Sequence, residues 1–172
     1  MTLSMPAVLS QLLLGLVNGA FYAILSLGLA VIFGLLNVIN FAHGALFMMG
    51  AIVTWIAMEK FGISYWAMLI VAPLIVGLFG IVIERLLLRW IYKLDHLYGL
   101  LLTLGLTLLI EGAFRSVYGV SGLTYNVPDA LAGGTNLGFM FMRNYRAWVL
   151  VSSLLVCFAT WYGIERTRLG AY

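Results

Sequence analysis

A short polar segment holds most of the side chains in this sequence that could do chemistry. Asn37, Asn40, His43 and Gly44 lie within a run, residues 1–58, that contains no charged residue. The amides and the imidazole can donate and accept hydrogen bonds, and the glycine lets the backbone turn or approach a neighbour closely. No paired acid or nucleophile accompanies the single histidine, so hydrogen bonding is favoured over catalysis.

Two interpretations of this polar segment remain open from the sequence. Polar groups and irregular backbone occur within a membrane where they face protein or a water-filled cavity, and transporters build substrate paths from such broken helices. Asparagine and glycine are also ordinary turn residues, so the segment can equally be a cytoplasmic turn. Under both interpretations it forms the joint between two helices.

Glu111 and Arg115 are the second candidate group. They are four residues apart and therefore share one face of a helix. A charge near the bilayer centre costs about 2.5–3.5 kcal/mol, and pairing lowers that cost. The pair is either a polar group at the outer mouth of a path or an interfacial ion pair that anchors the helix; the second is favoured. The sequence indicates no metal or cofactor site, and it contains no phosphate-binding loop of the type G-x-x-x-x-G-K-[ST].

The composition indicates an integral membrane protein. Hydrophobic residues make up 64% and charged residues 9% of the chain, whereas soluble proteins carry about 25% charged residues. The net charge of +3 comes from small groups spread between apolar runs, which argues against nucleic-acid binding. The N-terminus lacks the basic residues of a cleaved signal peptide, so the first apolar segment is expected to remain as a membrane helix.

The elements that must position these residues are predicted to be transmembrane helices. The apolar runs are longer and more continuous than barrel strands, which favours an all-α, polytopic helical bundle. About 20 apolar residues are needed per span. The predicted spans are 7–35, 42–58, 65–83, 97–114 and 147–164, with a possible helix break near 37–44 and an external loop at 118–145.

Basic residues predict the orientation. Cytoplasmic loops are enriched in lysine and arginine, so two basic segments should be cytoplasmic and the N-terminus and loop 118–145 should be external. One segment follows the third span and the other is the C-terminal tail. Their basic residues are Arg85, Arg89, Lys93, Arg166 and Arg168.

The long loop and a weak repeat are further features. Loop 118–145 is rich in glycine and longer than an ordinary connection, and its aromatic residues favour an ordered structure of turns and short elements at the membrane surface.

The sequence SLGLA at 26–30 is similar to TLGLT at 103–107, in spans predicted to run in opposite directions. This echo is either an inverted repeat or chance similarity between leucine-rich helices.

Several motifs resemble those of a known family. The stretches TLGLTLLIEGAFRSVYG and ERTRLGAY are part of the similarity, and the most specific motif is Asn37-x-x-Asn40-Phe41-Ala42-His43-Gly44. It follows Asn18-Gly19, Gly28-Leu29 and Phe33-Gly34. Together these residues resemble the membrane permease subunits of bacterial ABC importers for branched-chain amino acids, of the LivH-like type.

This resemblance implies a transport subunit that is not itself an enzyme. The expected partners are a second permease subunit, cytoplasmic ATPase subunits and a periplasmic substrate-binding protein, in the bacterial inner membrane with the N-terminus periplasmic. Related permeases for amides, urea or sugars, and a membrane scaffold without transport activity, are the alternatives. Such permeases continue beyond TRLGA into an ATPase-docking helix, so the chain is expected to be an N-terminal portion that is inactive alone.

Overall fold

The computed structural model describes residues 4–36, 40–91, 94–124, 126–138 and 140–166. These residues form six α-helices and one two-stranded sheet, together with a π-helical turn and a 3-10 turn. In chain order the elements are α1 (Met5–Leu36), α2 (Ala42–Phe61), α3 (Tyr65–Ile83), the π-turn (Glu84–Leu88), α4 (Arg89–Ile91), α5 (His96–Tyr118), the 3-10 turn (Asp129–Leu131), β1 (Gly134–Asn136), β2 (Phe141–Arg143) and α6 (Asn144–Arg166).

Within the described residues, five helical segments are long and apolar enough to cross a membrane. Many of their large apolar side chains point outward, where lipid can cover them. The prediction of an all-α, polytopic transmembrane fold is therefore confirmed, and the chain is a multi-pass membrane protein. The segments are Met5–Gly34, Ala42–Phe61, Tyr65–Ile91, Leu97–Tyr118 and Asn144–Arg166.

Helix α1 is longer than a bilayer requires. Its 32 residues correspond to about 48 Å at 1.5 Å per residue, whereas the hydrocarbon core is about 30 Å thick. The helix must therefore tilt or extend beyond the hydrocarbon. The chain divides into two compact units, Met1–Leu27 with Asn126–Tyr172, and Gly28–Tyr125.

In the second unit, α2 and α3 form a tight helical hairpin. Gly62 adopts a left-handed conformation (φ 62°), which lets its N–H reach back to the carbonyls of the last turn of α2 and ends that helix. Ser64 then begins α3, because its hydroxyl accepts a hydrogen bond from the N–H of Ala67 at 3.4 Å. Ala57, Met68 and Ala72 form the buried contact between the two helices.

The helix after α3 continues further than the sequence suggests. The basic segment after residue 83 is predicted to be a connection between spans, but helical structure runs through the π-turn and α4 to Ile91. No glycine or proline interrupts this stretch, so its backbone has no local reason to leave the helix. Lys93, used above for the orientation, lies outside the described residues.

In the first unit, the long connection is ordered before α6. The strands β1 and β2 pair antiparallel, with Gly134 opposite Arg143. Gly133 and Gly138 have positive φ angles of 94° and 83°, which turn the chain on either side of β1. The N–H of Asn144 donates to the carbonyl of Gly133 at 3.2 Å, tying the start of α6 to this hairpin. Ordered turns and short elements are therefore present in the segment predicted to have them.

Candidate functional site

Asn40 caps the start of α2. Its Oδ1 accepts a hydrogen bond from the N–H of Ala42 at 3.0 Å, and its backbone carbonyl accepts one from the N–H of His43 at 3.3 Å. The first N–H groups of a helix have no partner within the helix, and an asparagine side chain supplies one. Asn40 is half-buried, and Ala42 directly after it is buried. The polar segment therefore begins a helix, as expected for a joint.

Thr103 of α5 contacts the same joint. The N–H of Phe41 donates to Thr103 Oγ1 at 3.3 Å, and that hydroxyl donates to the carbonyl of Leu100 at 3.1 Å. Thr103 is fully buried, with 0% exposure. A buried hydroxyl that both donates and accepts is satisfied, so it can lie in an apolar helix at little cost. The joint is thus tied to α5 as well as to α2.

The ring of His43 lies directly against the backbone of α1. A Cβ atom on Gly28 would be 2.8 Å from Cε1 and 2.9 Å from Nε2 of His43. Only a glycine leaves this space for the ring. Gly44 lies within α2, and no heavy atom of the described residues is within 4 Å of the place its Cβ would take. The close approach suggested for Gly44 is therefore made by Gly28.

The remaining residue of the motif, Asn37, lies outside the described residues. Of the four residues singled out in the polar segment, the structure brings Asn40 and His43 into one hydrogen-bonded joint, with Gly44 exposed on the following turn of α2. Between α1 and α2, the described residues that are not helical are Asn40 and Phe41. They lie between two helices that are both apolar enough to span a membrane.

Glu111 and Arg115 form the expected pair on α5. Arg115 Nη2 lies 3.6 Å from Glu111 Oε2, with side-chain exposures of 66% for the arginine and 37% for the glutamate. The pair lies within the last two turns of α5, which ends at Tyr118.

The aromatic residues at the end of α5 connect that helix to α2. Tyr118 meets Trp55 of α2 edge to face, with ring centroids 5.9 Å apart, and stacks on Phe114 at 6.3 Å. Trp55 Nε1 donates to the carbonyl of Thr124 at 3.0 Å. These contacts hold the beginning of the long connection against α2.

The chemistry available at the joint is hydrogen bonding. Among the described residues, no three His, Cys, Asp or Glu side chains are grouped so that they could hold a metal ion. The donors and acceptors belong to Asn40, His43, Thr103 and the backbone near them. Such groups can stabilise irregular backbone or bind a polar ligand, and neither role needs proton transfer.

The sequence does not place Gly28 or Thr103 at the joint, although Gly28 belongs to the family-like motifs and one signal points to both residues. Gly28 lies in SLGLA and Thr103 begins TLGLT, the two segments of the weak internal echo. In the structure each segment contacts the start of α2, one through the His43 ring and one through the N–H of Phe41. Small residues in otherwise leucine-rich segments indicate helix contacts, and here they indicate the joint.

Comparison with known proteins decides the family. A family model described as "Branched-chain amino acid transport system / permease component" matches residues 11–172. The chain belongs to this permease family. The match includes the whole of the joint, all of α2 and α5, and α1 from residue 11 onward.

Two relatives illustrate the degree of similarity. The high-affinity branched-chain amino acid transport system permease protein BraD of Pseudomonas aeruginosa is 26% identical over 175 residues, which cover 94% of this chain and 56% of BraD. The corresponding permease protein LivH of Escherichia coli K12 is 28% identical over 111 residues, covering 60% of this chain and 36% of LivH. The permease chain therefore spans about half the length of these curated relatives or less. No solved structure matches it.

Proposed function

We propose that this chain is a permease subunit of an ABC importer and forms part of the path for branched-chain or similar amino acids. The observation that carries the proposal is the family match over residues 11–172. The printed names of BraD and LivH, both high-affinity permease proteins for branched-chain amino acids, support the substrate class. In this role the chain moves substrate, and ATP is hydrolysed on separate subunits.

The proposed assembly has four kinds of component. A periplasmic binding protein delivers the amino acid, this chain and a second permease subunit form the path, and cytoplasmic ATPase subunits drive the cycle. The assembly lies in the bacterial inner membrane, with the N-terminus of this chain on the periplasmic side.

We assign the segment Asn37–Gly44 to a helix break beside the substrate path. Three observations support this role: the half-buried cap at Asn40, the contact of His43 with Gly28, and the link from Phe41 to the buried Thr103. Discontinuous helices line the paths of many transporters. The first task of these side chains is to hold the break, because each satisfies backbone or fills space next to another helix. In the same scheme, Glu111 and Arg115 anchor the outer end of α5.

Uptake measurements test the substrate class. The full-length permease that carries this sequence is produced with its own ATPase, second permease and binding protein in a host strain that lacks uptake of branched-chain amino acids. We expect accumulation of labelled leucine, isoleucine and valine, and none of urea, short amides or ribose. Accumulation of one of the latter compounds would reassign the substrate. Failure of the ATPase to co-purify with this chain from those membranes would overturn the assignment as an importer subunit.

The role of the break is tested at Asn40. Asn40→Leu removes the side-chain acceptor for the Ala42 N–H, a loss of about 1 kcal/mol, so assembled complex and uptake should both fall. Asn40→Ser keeps an acceptor at the cap and serves as the matched control, with both quantities near normal. His43→Ala should lower both more mildly, because water can fill the space that the ring leaves. Normal assembly and uptake in the leucine and alanine variants would show that this segment is an ordinary turn in water.

A further inference from the structure

The π-turn after α3 changes which side chains of that helix are buried against the protein and which point outward. Ile83 and Leu88 are both buried although they are five residues apart. In an α-helix, five residues rotate the chain about 140° beyond a full turn, so the two side chains would point in different directions. Bonding from residue i to i+5, seen here between the N–H of Arg89 and the carbonyl of Glu84, places residues five apart on one face. The π-turn thus keeps both side chains buried.

The outward side of the same turn combines two cations with large apolar groups. Arg85 and Arg89 are exposed, and Leu86 and Trp90 are exposed by 67% and 76%. Within the described part of the chain, neither guanidinium has a carboxylate oxygen within 4.0 Å. Both cations are therefore available to an anion that comes from outside the chain.

The position of these four side chains along the helix indicates which class of anion they would bind. They end the segment Tyr65–Ile91, the most apolar of the membrane-spanning candidates, with a mean hydropathy of 2.6. Tryptophan concentrates at membrane interfaces, where its ring lies at headgroup level, and arginine extends its charge from such a helix end to the phosphates. Leucine beside them belongs among acyl chains. A small hydrated anion would use only the two guanidinium groups, whereas a lipid at this position would contact all four side chains.

We propose that Arg85, Arg89 and Trp90 form a binding site for the headgroup of an anionic phospholipid. The guanidinium groups bind the lipid phosphate, for which their planar, forked donors are suited. The indole packs at headgroup level, and Leu86 contacts the upper acyl chain. The π-turn supports the site, because it keeps Ile83 and Leu88 buried on the packed face while the two arginines, four residues apart, remain together on the lipid side.

Quenching of Trp90 by brominated lipids tests the proposal. The full chain is reconstituted in phosphatidylcholine vesicles that contain 20% brominated phosphatidylglycerol, about one lipid in five. A parallel set contains the same fraction of brominated phosphatidylcholine instead and measures the quenching that random lipid contact produces. The contribution of Trp90 is the fluorescence lost in Trp90→Phe. One cation near an anionic surface corresponds to about a fivefold preference over phosphatidylcholine, so brominated phosphatidylglycerol should make up at least about half of the lipids beside Trp90, against about one in five in the vesicle.

Two variants and a control identify the groups responsible. Arg85→Gln with Arg89→Gln should reduce the enrichment towards one, and Arg85→Lys with Arg89→Lys should give an intermediate value while it keeps the charges that orient the helix. Arg143→Gln with Arg146→Gln removes the same net charge from exposed residues elsewhere and should leave the enrichment unchanged. Equal quenching by the two lipids in the unsubstituted chain would overturn the proposal. An equal effect of the control pair, or loss of enrichment on adding inorganic phosphate at constant ionic strength, would do so as well.

Discussion

Gly28 is the residue on which the position of the His43 ring depends. An alanine Cβ there would come within 2.8 Å of the ring, and overpacking of this kind costs about 1–3 kcal/mol. Gly28→Ala should therefore lower the thermal stability of the purified chain, even though alanine is the better helix former. Fluorescence-detected size-exclusion chromatography after heating measures this loss as a lower temperature of half-retention.

A double variant shows whether the His43 ring is the cause. Gly28→Ala combined with His43→Ala should recover most of the stability lost in Gly28→Ala alone, because the smaller side chain removes the clash. Gly34→Ala is the control on the same helix, since no described heavy atom lies within 4 Å of its Cβ position; it should be neutral or stabilising. A loss in Gly34→Ala equal to that in Gly28→Ala would mean that the clash has no part in the effect.

At the scale of single residues, the sequence indicates which residue types form the joint but not which residues contact one another. The motif places Asn40 and His43 at a joint, because a capping asparagine and a histidine are unusual in an uncharged apolar run. It leaves Gly44 open between a turn and a close approach, and it does not link Gly28 with His43. The reason is physical: the contact joins residues 15 apart on two consecutive helices, and which residues meet depends on how the chain turns between those helices, which no local pattern encodes.

Among the elements, α5 holds the joint through the hydroxyl of Thr103. Thr103→Val keeps the shape of the side chain but removes the acceptor for the Phe41 N–H. One lost hydrogen bond of this kind is worth about 1 kcal/mol, which corresponds to a fall of about 2–4 °C in melting temperature for a chain of this size. Thr103→Ser retains the hydroxyl and should lose less. A larger loss in the serine variant than in the valine variant would show that packing, rather than this bond, is what matters at Thr103.

The hairpin before α6 makes an independent prediction. A Cβ on Gly134 would lie 2.6 Å from the carbonyl oxygen of Met142 and equally close to the Phe141 ring. The ring can rotate away, but the backbone carbonyl of the paired strand cannot, so Gly134→Ala should separate β1 from β2. Trypsin should then cleave after Arg143 several times faster. Gly122→Ala has open space around its Cβ and should not change the rate; an unchanged rate in Gly134→Ala would contradict the close pairing.

The sequence predicts long elements well and short ones poorly. Five apolar helices follow from the long apolar runs, because only helices and closed barrels satisfy the backbone in lipid and these runs are too long for barrel strands. The π-turn at Glu84–Leu88 leaves no such signal, since its residues are equally suited to an α-helix and only the shared burial of Ile83 and Leu88 requires i to i+5 bonding. The two three-residue strands are likewise too short for an alternating pattern to identify.

For the whole molecule, orientation in the membrane is the property that connects these elements to transport. Basic residues at one end of the α3–α4 segment and the glycine-rich connection after α5 should face opposite sides. Cys157 is the only cysteine in the chain, so Cys157→Ser provides a background without thiols. Leu94 and Asn126 are both exposed in the structure and carry no charge that directs insertion, which makes them better reporters than Lys93.

The final prediction uses these two positions. In the Cys157→Ser background, a membrane-impermeant maleimide should label Asn126→Cys in intact spheroplasts and Leu94→Cys only after the membrane is opened. The reason is that moving Arg85 and Arg89 to the external side during insertion is disfavoured, while the long connection carries few basic residues. Labelling of both cysteines after opening shows that each thiol is accessible and serves as the control. Equal labelling of both in intact spheroplasts would contradict the orientation, and labelling of Leu94→Cys alone would reverse it and place the N-terminus in the cytoplasm.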